Sequence, residues 1–268
     1  MLALFRLLAR LPLGLAQSVG AALGLLAYAV SPSYRGKIRA NLTRAGLPAT
    51  LARACARQAG CTVGELPFVW FRAPEALAAK LQADFGVLDD ARTEGRGVLV
   101  LTPHLGGFEI SARAFAARAP ITVLFKPPKQ APLARLMSAA RNQGGMHALP
   151  TDMSGVRGML RALRAGEVVG LLPDQVPDSG QGEWAPFFGE PAYTLTLPQR
   201  LALQTRCAVV LAGCERLGIG QGWRLHLERI HEPPTPQLLN EAMQRMILRW
   251  PTQYLWGYNR YKRPRGQP

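Results

Sequence analysis

Short, nearly unbroken apolar runs recur through the middle of this 268-residue chain, over residues 97–101, 121–125, 146–149, 168–172 and 208–213. A strand that is apolar on both sides is one covered on both faces, the pattern of a parallel sheet. Between the runs, apolar positions repeat at helical spacing over residues 108–118, 132–142 and 153–165. This alternation predicts an α/β fold, a mostly parallel open sheet flanked by helices. Residues 223–230 break the pattern: Trp223, Leu225 and Leu227 alternate with Arg224, His226 and Glu228, which predicts a half-exposed antiparallel strand. Residues 33–86 read as helical, interrupted at Pro48, Pro67 and Pro74, with Trp70 and Phe71 on an aromatic stretch that faces either lipid or, the favoured reading, the core. A closing helix is expected over 236–250.

The amino terminus carries a different signal. Residues 11–30 hold no charge, with Arg6 and Arg10 before them and Arg35, Lys37, Arg39 and Arg44 after. That length suffices to span or enter a bilayer, while Pro12, Gly14, Gln17, Ser18, Gly20 and Gly24 dilute it enough that a helix lying in the interface stays open. A cleaved leader ending near Ala27-Tyr28-Ala29 is a rival reading. The excess of basic residues behind the segment places the bulk of the chain on the cytoplasmic side. The net charge of +15, from 32 Lys and Arg against 17 Asp and Glu, points to anionic partners: nucleic acid, an anionic leaflet, phosphorylated lipid or an acidic carrier protein. The basic, aromatic run from Arg260 to Arg265 fits a leaflet better than nucleic acid beside such an amino terminus. Cys55, Cys61, Cys207 and Cys214 lack zinc-like spacing and read as reduced, buried thiols.

Candidate chemistry sits where the first apolar run ends, in Pro103-His104-Leu105-Gly106-Gly107-Phe108-Glu109. A strand delivers His104 to a glycine bend, and Glu109, in the first turn of the following helix, is positioned to reach back and fix the imidazole tautomer. Such a pair suits proton abstraction from a hydroxyl during acyl transfer. The spacing alone arises by chance roughly one time in four; His147 and Asp152 share it, and there Asp152 reads as a helix cap. Asp174, in Pro173-Asp174-Gln175, occupies the same kind of strand-end position as His104, although taken by itself a turn-forming aspartate before the 177–182 loop is the favoured reading. Phe187 and Phe188 either line an acyl groove or pack beneath a long loop. Arg141 and Arg157 are phosphate-clamp candidates or solvated helix residues. No Gly-x-Ser-x-Gly elbow, Walker loop or metal-ligand set is present.

Together these residues resemble the late acyltransferases of lipid A biosynthesis, the lauroyl and myristoyl transferases of Gram-negative bacteria. The resemblance runs through Asn41-Leu42, Glu65, the His104 to Glu109 signature, Lys126-Pro127-Pro128, Arg141, Gly155-Val156-Arg157, Pro173-Asp174-Gln175, Pro186-Phe187-Phe188-Gly189, Arg200-Leu201-Ala202 and Tyr254-Leu255-Trp256 with Arg260. It implies a membrane-anchor helix over 1–30 and an acyltransferase domain over 31–268, at the inner membrane with the catalytic domain cytoplasmic. The implied donor is a fatty acyl thioester on the phosphopantetheine of acyl carrier protein, with no other cofactor, no metal and no nucleic acid. The implied acceptor is a hydroxyl of a lipid A precursor. His104 and Glu109 are the expected catalytic pair, with substrate binding by Gly106, Gly107, Arg141, Asp174 and Gln175. In that scheme the Gly106 and Gly107 N–H groups stabilise the oxyanion, and Arg141 and Asp174 position phosphate or hydroxyl groups. Two alternatives stay open: the same chemistry on a lysophospholipid or other glycolipid, or a non-catalytic basic protein that binds membrane or nucleic acid.

Overall fold

The computed structural model describes residues 2–125 and 130–264; Lys126-Pro127-Pro128 and Arg265 lie outside the described residues. Five helices come first: α1 (Leu2–Leu8), α2 (Leu13–Val30), α3 (Pro32–Arg44), α4 (Ala52–Phe71) and α5 (Pro74–Ala78). Strands and helices then alternate as β1 (Leu81–Ala83), α6 (Gly86–Thr93), β2 (Val98–Leu101), α7 (Phe108–Ala116), β3 (Ile121–Phe125), α8 (Ala131–Arg141), β4 (Met146–Pro150), α9 (Met153–Arg164) and β5 (Val168–Leu171). A hairpin of β6 (Gly182–Phe187) and β7 (Glu190–Leu195) follows, then α10 (Leu197–Thr205), β8 (Ala208–Arg216), β9 (Trp223–Ile230) and α11 (Pro236–Arg249).

Seven strands form one sheet in the order β1-β9-β8-β2-β5-β3-β4. The five from β8 to β4 run parallel; β9 pairs antiparallel with β8, and β1 joins β9 at the edge. The unbroken apolar runs follow from this placement. Leu99 and Leu101 enter one core and Val98 and Val100 the other, on opposite faces of the sheet, and all four are buried. The antiparallel β9 alternates because its role at the margin leaves it partly exposed.

Three expectations are corrected. Pro67 lies inside α4 and does not interrupt it. The adjacent Phe68, Val69 and Trp70 are all buried, and at ~1.5–3 kcal/mol each that burial outweighs the roughly 3 kcal/mol a helical proline costs. The segment read as helical up to residue 86 contains strand β1, which finds its partner in β9. The expected long loop around Phe187 is the β6–β7 hairpin, which packs on α11: Asn240 of that helix donates to the Pro186 carbonyl at 3.0 Å and to Thr194 Oγ1 at 2.9 Å. Phe187 is buried in the core, between Tyr254 and Tyr261, so it lines no open groove.

Helix α2 is long and apolar, with mean hydropathy 1.6. It ends where Ser31 accepts the Tyr34 N–H and Pro32 opens α3, a cap and a first-turn proline in sequence. Its Gly20 and Gly24 lie against Gly60 and Gly64 of α4 so closely that a Cβ on Gly20 would meet the Gly60 carbonyl oxygen at 2.3 Å.

Candidate active site

Strand register explains how two residues far apart in sequence meet. Leu101 of β2 pairs with Leu171 of β5, and Thr102 extends the ladder by donating to the Leu171 carbonyl at 3.0 Å. His104 and Asp174 each follow these paired leucines by three residues, beyond the carboxyl ends of neighbouring central strands, where ligands bind in open α/β sheets. The His104 Nδ1 stands 2.7 Å from Asp174 Oδ1, and the His104 backbone N–H donates to Oδ2 at 2.9 Å. One carboxylate therefore fixes both the ring and its backbone. With Nδ1–H donating to Asp174, Nε2 carries the lone pair. Gln175 brings its amide nitrogen to 3.3 Å from that atom, and Phe108 packs edge-on at 4.7 Å between ring centroids.

The electrostatics agree with this tautomer. Burial pulls the His104 pKa down, but the Asp174 charge and hydrogen bond, with Glu109 behind them, raise it above the ordinary 6.5. Burial works the other way on Asp174, yet His104 and Arg260 hold its carboxyl below the usual value. Arg260, expected in the basic tail as a leaflet contact, is instead buried and donates to the Tyr193 carbonyl at 2.8 Å and to Thr194 Oγ1 at 2.7 Å. Tyr254, also buried, is kept protonated by burial first and by the neighbouring Asp174 charge second.

Two expected roles are corrected. Glu109 is not the residue that holds the ring: its carboxylate is paired with Arg141 and accepts the Trp70 indole N–H at 3.0 Å. Arg141 is thus tied to Glu109, and it also lies over the Phe125 ring. Nor are the Gly106 and Gly107 amides open to an oxyanion. Gly106 donates to the Gln253 carbonyl at 3.0 Å and Gly107 to the Cys214 carbonyl at 2.8 Å. The glycines are needed for close approach: Gly106 has φ +57°, and a Cβ there would lie 2.0 Å from the Cys214 carbonyl oxygen. Arg157 is exposed, while Asp152 caps α9 by accepting from Ser154 and Gly155.

Beneath the bend lies a buried network that no spacing rule announces. Arg216, at the end of β8, donates to both carboxylate oxygens of Glu65, at 2.7 and 2.9 Å, and to the Gly106 carbonyl at 2.9 Å. Gln17 of α2 donates to the same Glu65 carboxylate at 2.9 Å. In the sequence, Glu65 stands out as an acid in an apolar stretch and as part of the family resemblance, while Arg216, next to Glu215, gives no such sign. Among the described residues no group of three or more His, Cys, Asp or Glu side chains is placed to hold a metal ion. Chemically, the site offers a polarised imidazole whose second nitrogen meets the Gln175 amide, with an arginine–carboxylate pair beside it.

The chain matches the family model for bacterial lipid A biosynthesis acyltransferases over residues 1–263. It is similar to a lipid A biosynthesis lauroyltransferase of Escherichia coli, at 28% identity over 78% of this chain and 71% of the relative. It is also similar to a lipid A biosynthesis palmitoleoyltransferase of the same organism, at 27% over 79% and 71%. A lipid A biosynthesis acyltransferase of Haemophilus influenzae is 25% identical over 63% of this chain and 55% of the relative. With a model match across nearly its entire length, this chain belongs to the bacterial lipid A biosynthesis acyltransferases.

Proposed function

We propose that this acyltransferase moves a fatty acyl group from the phosphopantetheine thioester of acyl carrier protein to a hydroxyl of a lipid A precursor, at the cytoplasmic face of the inner membrane. The observation that carries the mechanism is the 2.7 Å contact between His104 Nδ1 and Asp174. His104 Nε2 takes the proton of the acceptor hydroxyl as its oxygen attacks the thioester carbonyl carbon, and Asp174 stabilises the imidazolium that forms. The tetrahedral oxyanion then collapses, the carbon–sulfur bond breaks, and the departing thiolate recovers the proton from His104. No acyl-enzyme intermediate and no cofactor beyond the carrier's own phosphopantetheine enters these steps. The amino end of α7, which among the described residues no side chain caps, supplies the first-turn N–H groups for the oxyanion. Gln175 orients the hydroxyl at Nε2. Glu109 holds Arg141 at the site, where the guanidinium faces an acceptor phosphate, and its charge adds to the basicity of His104.

The +15 charge supports both partners, an acidic carrier protein and an anionic lipid. The test is transfer of a labelled acyl chain from acyl carrier protein to a tetra-acyl lipid A precursor in membranes. His104→Ala is expected to lower the rate by ~10²–10⁴ without changing the thermal unfolding midpoint by more than a few degrees. A rate within threefold of wild type would remove His104 from the mechanism. Parallel reactions with a coenzyme A thioester as donor, and with a lysophospholipid as acceptor, assign the two substrates.

A further inference from the structure

We propose that α2 is a monotopic anchor lying in the plane of an anionic bilayer surface, and not a helix that crosses the membrane. This rests on the membrane-bound reading of the function and specifies its mode. By length the helix qualifies as a span: its 18 residues reach about 27 Å, close to the hydrocarbon thickness. Its surroundings argue otherwise. One face is the interhelical contact with α4, where backbones touch at Gly20, Gly24, Gly60 and Gly64. The same face carries Gln17, fully buried, bonded through Glu65 to Arg216 at the end of β8. A crossing α2 would have to draw α4 in with it, together with the exposed Arg53 and Arg57 and the Glu65–Arg216 pair. Charges at bilayer depth are costly.

Both ends of α2 also return to the same body. On the amino side, Phe5 of α1 stacks on Trp70 at 6.2 Å, and Arg72 donates to the Arg10 carbonyl at 3.1 Å; Trp70 in turn donates to Glu109 beside the site. On the carboxyl side, Asn41 of α3 donates to the carbonyls of Trp256 and Tyr258 at 2.7 and 2.9 Å. A span would place these two ends on opposite sides of the membrane.

What remains free is the other face. Leu15, Val19, Leu23, Leu26 and Val30, spaced by three or four residues, form a single stripe in which every side chain is at least half exposed. Exposed Arg6 and Arg10 flank it at one end, Lys37 and Arg39 at the other. No acid precedes Glu65 in the sequence, while eight arginines and lysines do. An apolar stripe framed by guanidinium and ammonium groups matches the boundary between acyl chains and anionic headgroups.

Two measurements test this. Ala3, exposed on α1, is replaced by cysteine, and spheroplasts are treated with a membrane-impermeant maleimide; the native thiols are buried. The label is expected only after the membrane is lysed, because the amino terminus stays cytoplasmic. Labelling of intact spheroplasts would show a crossing helix and overturn the proposal while leaving membrane residence intact. Separately, full-length chain is sedimented with vesicles of phosphatidylglycerol and phosphatidylethanolamine. The pair Val19→Asp and Leu23→Asp is expected to cut the bound fraction at least tenfold while activity in detergent micelles is kept. Unchanged vesicle binding would exclude the stripe as the docking face. Failure of the wild-type chain to bind any vesicle would refute both the anchor and the membrane-bound part of the function.

Discussion

At His104 one ring nitrogen is bound to the Asp174 carboxylate and the other meets the neutral Gln175 amide, and the pH behaviour follows from that division. The base is the neutral ring, and its pKa in the folded chain is raised above 6.5. As pH falls, kcat/KM is therefore expected to decline through a midpoint above the ordinary histidine value, measured on the transfer reaction from pH 5 to 9. Asp174→Asn removes the principal raising charge, so the midpoint should move down and the plateau rate should fall by ~10² or more, since an amide donor favours the wrong tautomer. A midpoint that does not move would mean the carboxylate is not coupled to the ring. The two residues were each visible as strand-end positions, but their pairing was not, because they lie 70 residues apart and only the β2–β5 register brings them together. The five-residue spacing to Glu109 misdirected the assignment for a local reason. The helix that begins at Phe108 turns Glu109 toward Arg141 and Trp70, neither of which is near it in sequence.

Elements announced themselves in proportion to how far their burial follows a repeating pattern. The parallel strands were legible because cover on both faces demands continuous apolar runs, and α7, α8, α9 and α11 because amphipathic helices repeat. The three-residue β1 was not, being too short for a period to register, and neither was the β6–β7 hairpin, whose strands are interrupted by Pro186 and Pro191 and are buried without a regular alternation. The α2–α4 pair depends on glycines whose purpose, backbone contact, appears only once the helices are set side by side. Its buried Glu65 is the place to test the assembly. Glu65→Gln leaves Arg216 as a buried, uncompensated charge directly under the Gly106 carbonyl. A loss of ~3–5 kcal/mol is expected, read from the denaturant midpoint in detergent; a loss under about 1 kcal/mol would show that the pair is not a structural tie.

For the molecule as a whole, the proposed direct transfer predicts indifference to thiol reagents. All four cysteines are buried and unpaired, and burial pushes Cys55 and Cys214 up to about 12. Iodoacetamide at neutral pH is expected to leave the folded enzyme at full activity and to modify all four thiols only after unfolding, scored by mass spectrometry. Inactivation of the native enzyme with one modified cysteine would point to a covalent intermediate. Composition and periodicity alone settled the layered α/β architecture, the basic character, the apolar amino-terminal helix and the histidine at the rim of the sheet, because each is written in consecutive residues and governed by local burial. Only the assembled chain decided which acid serves that histidine, which amides are already spent, where Arg260 goes and which face of α2 is left bare. Those are properties of neighbours distant in sequence, and nothing short of the sheet register and the helix contacts specifies them.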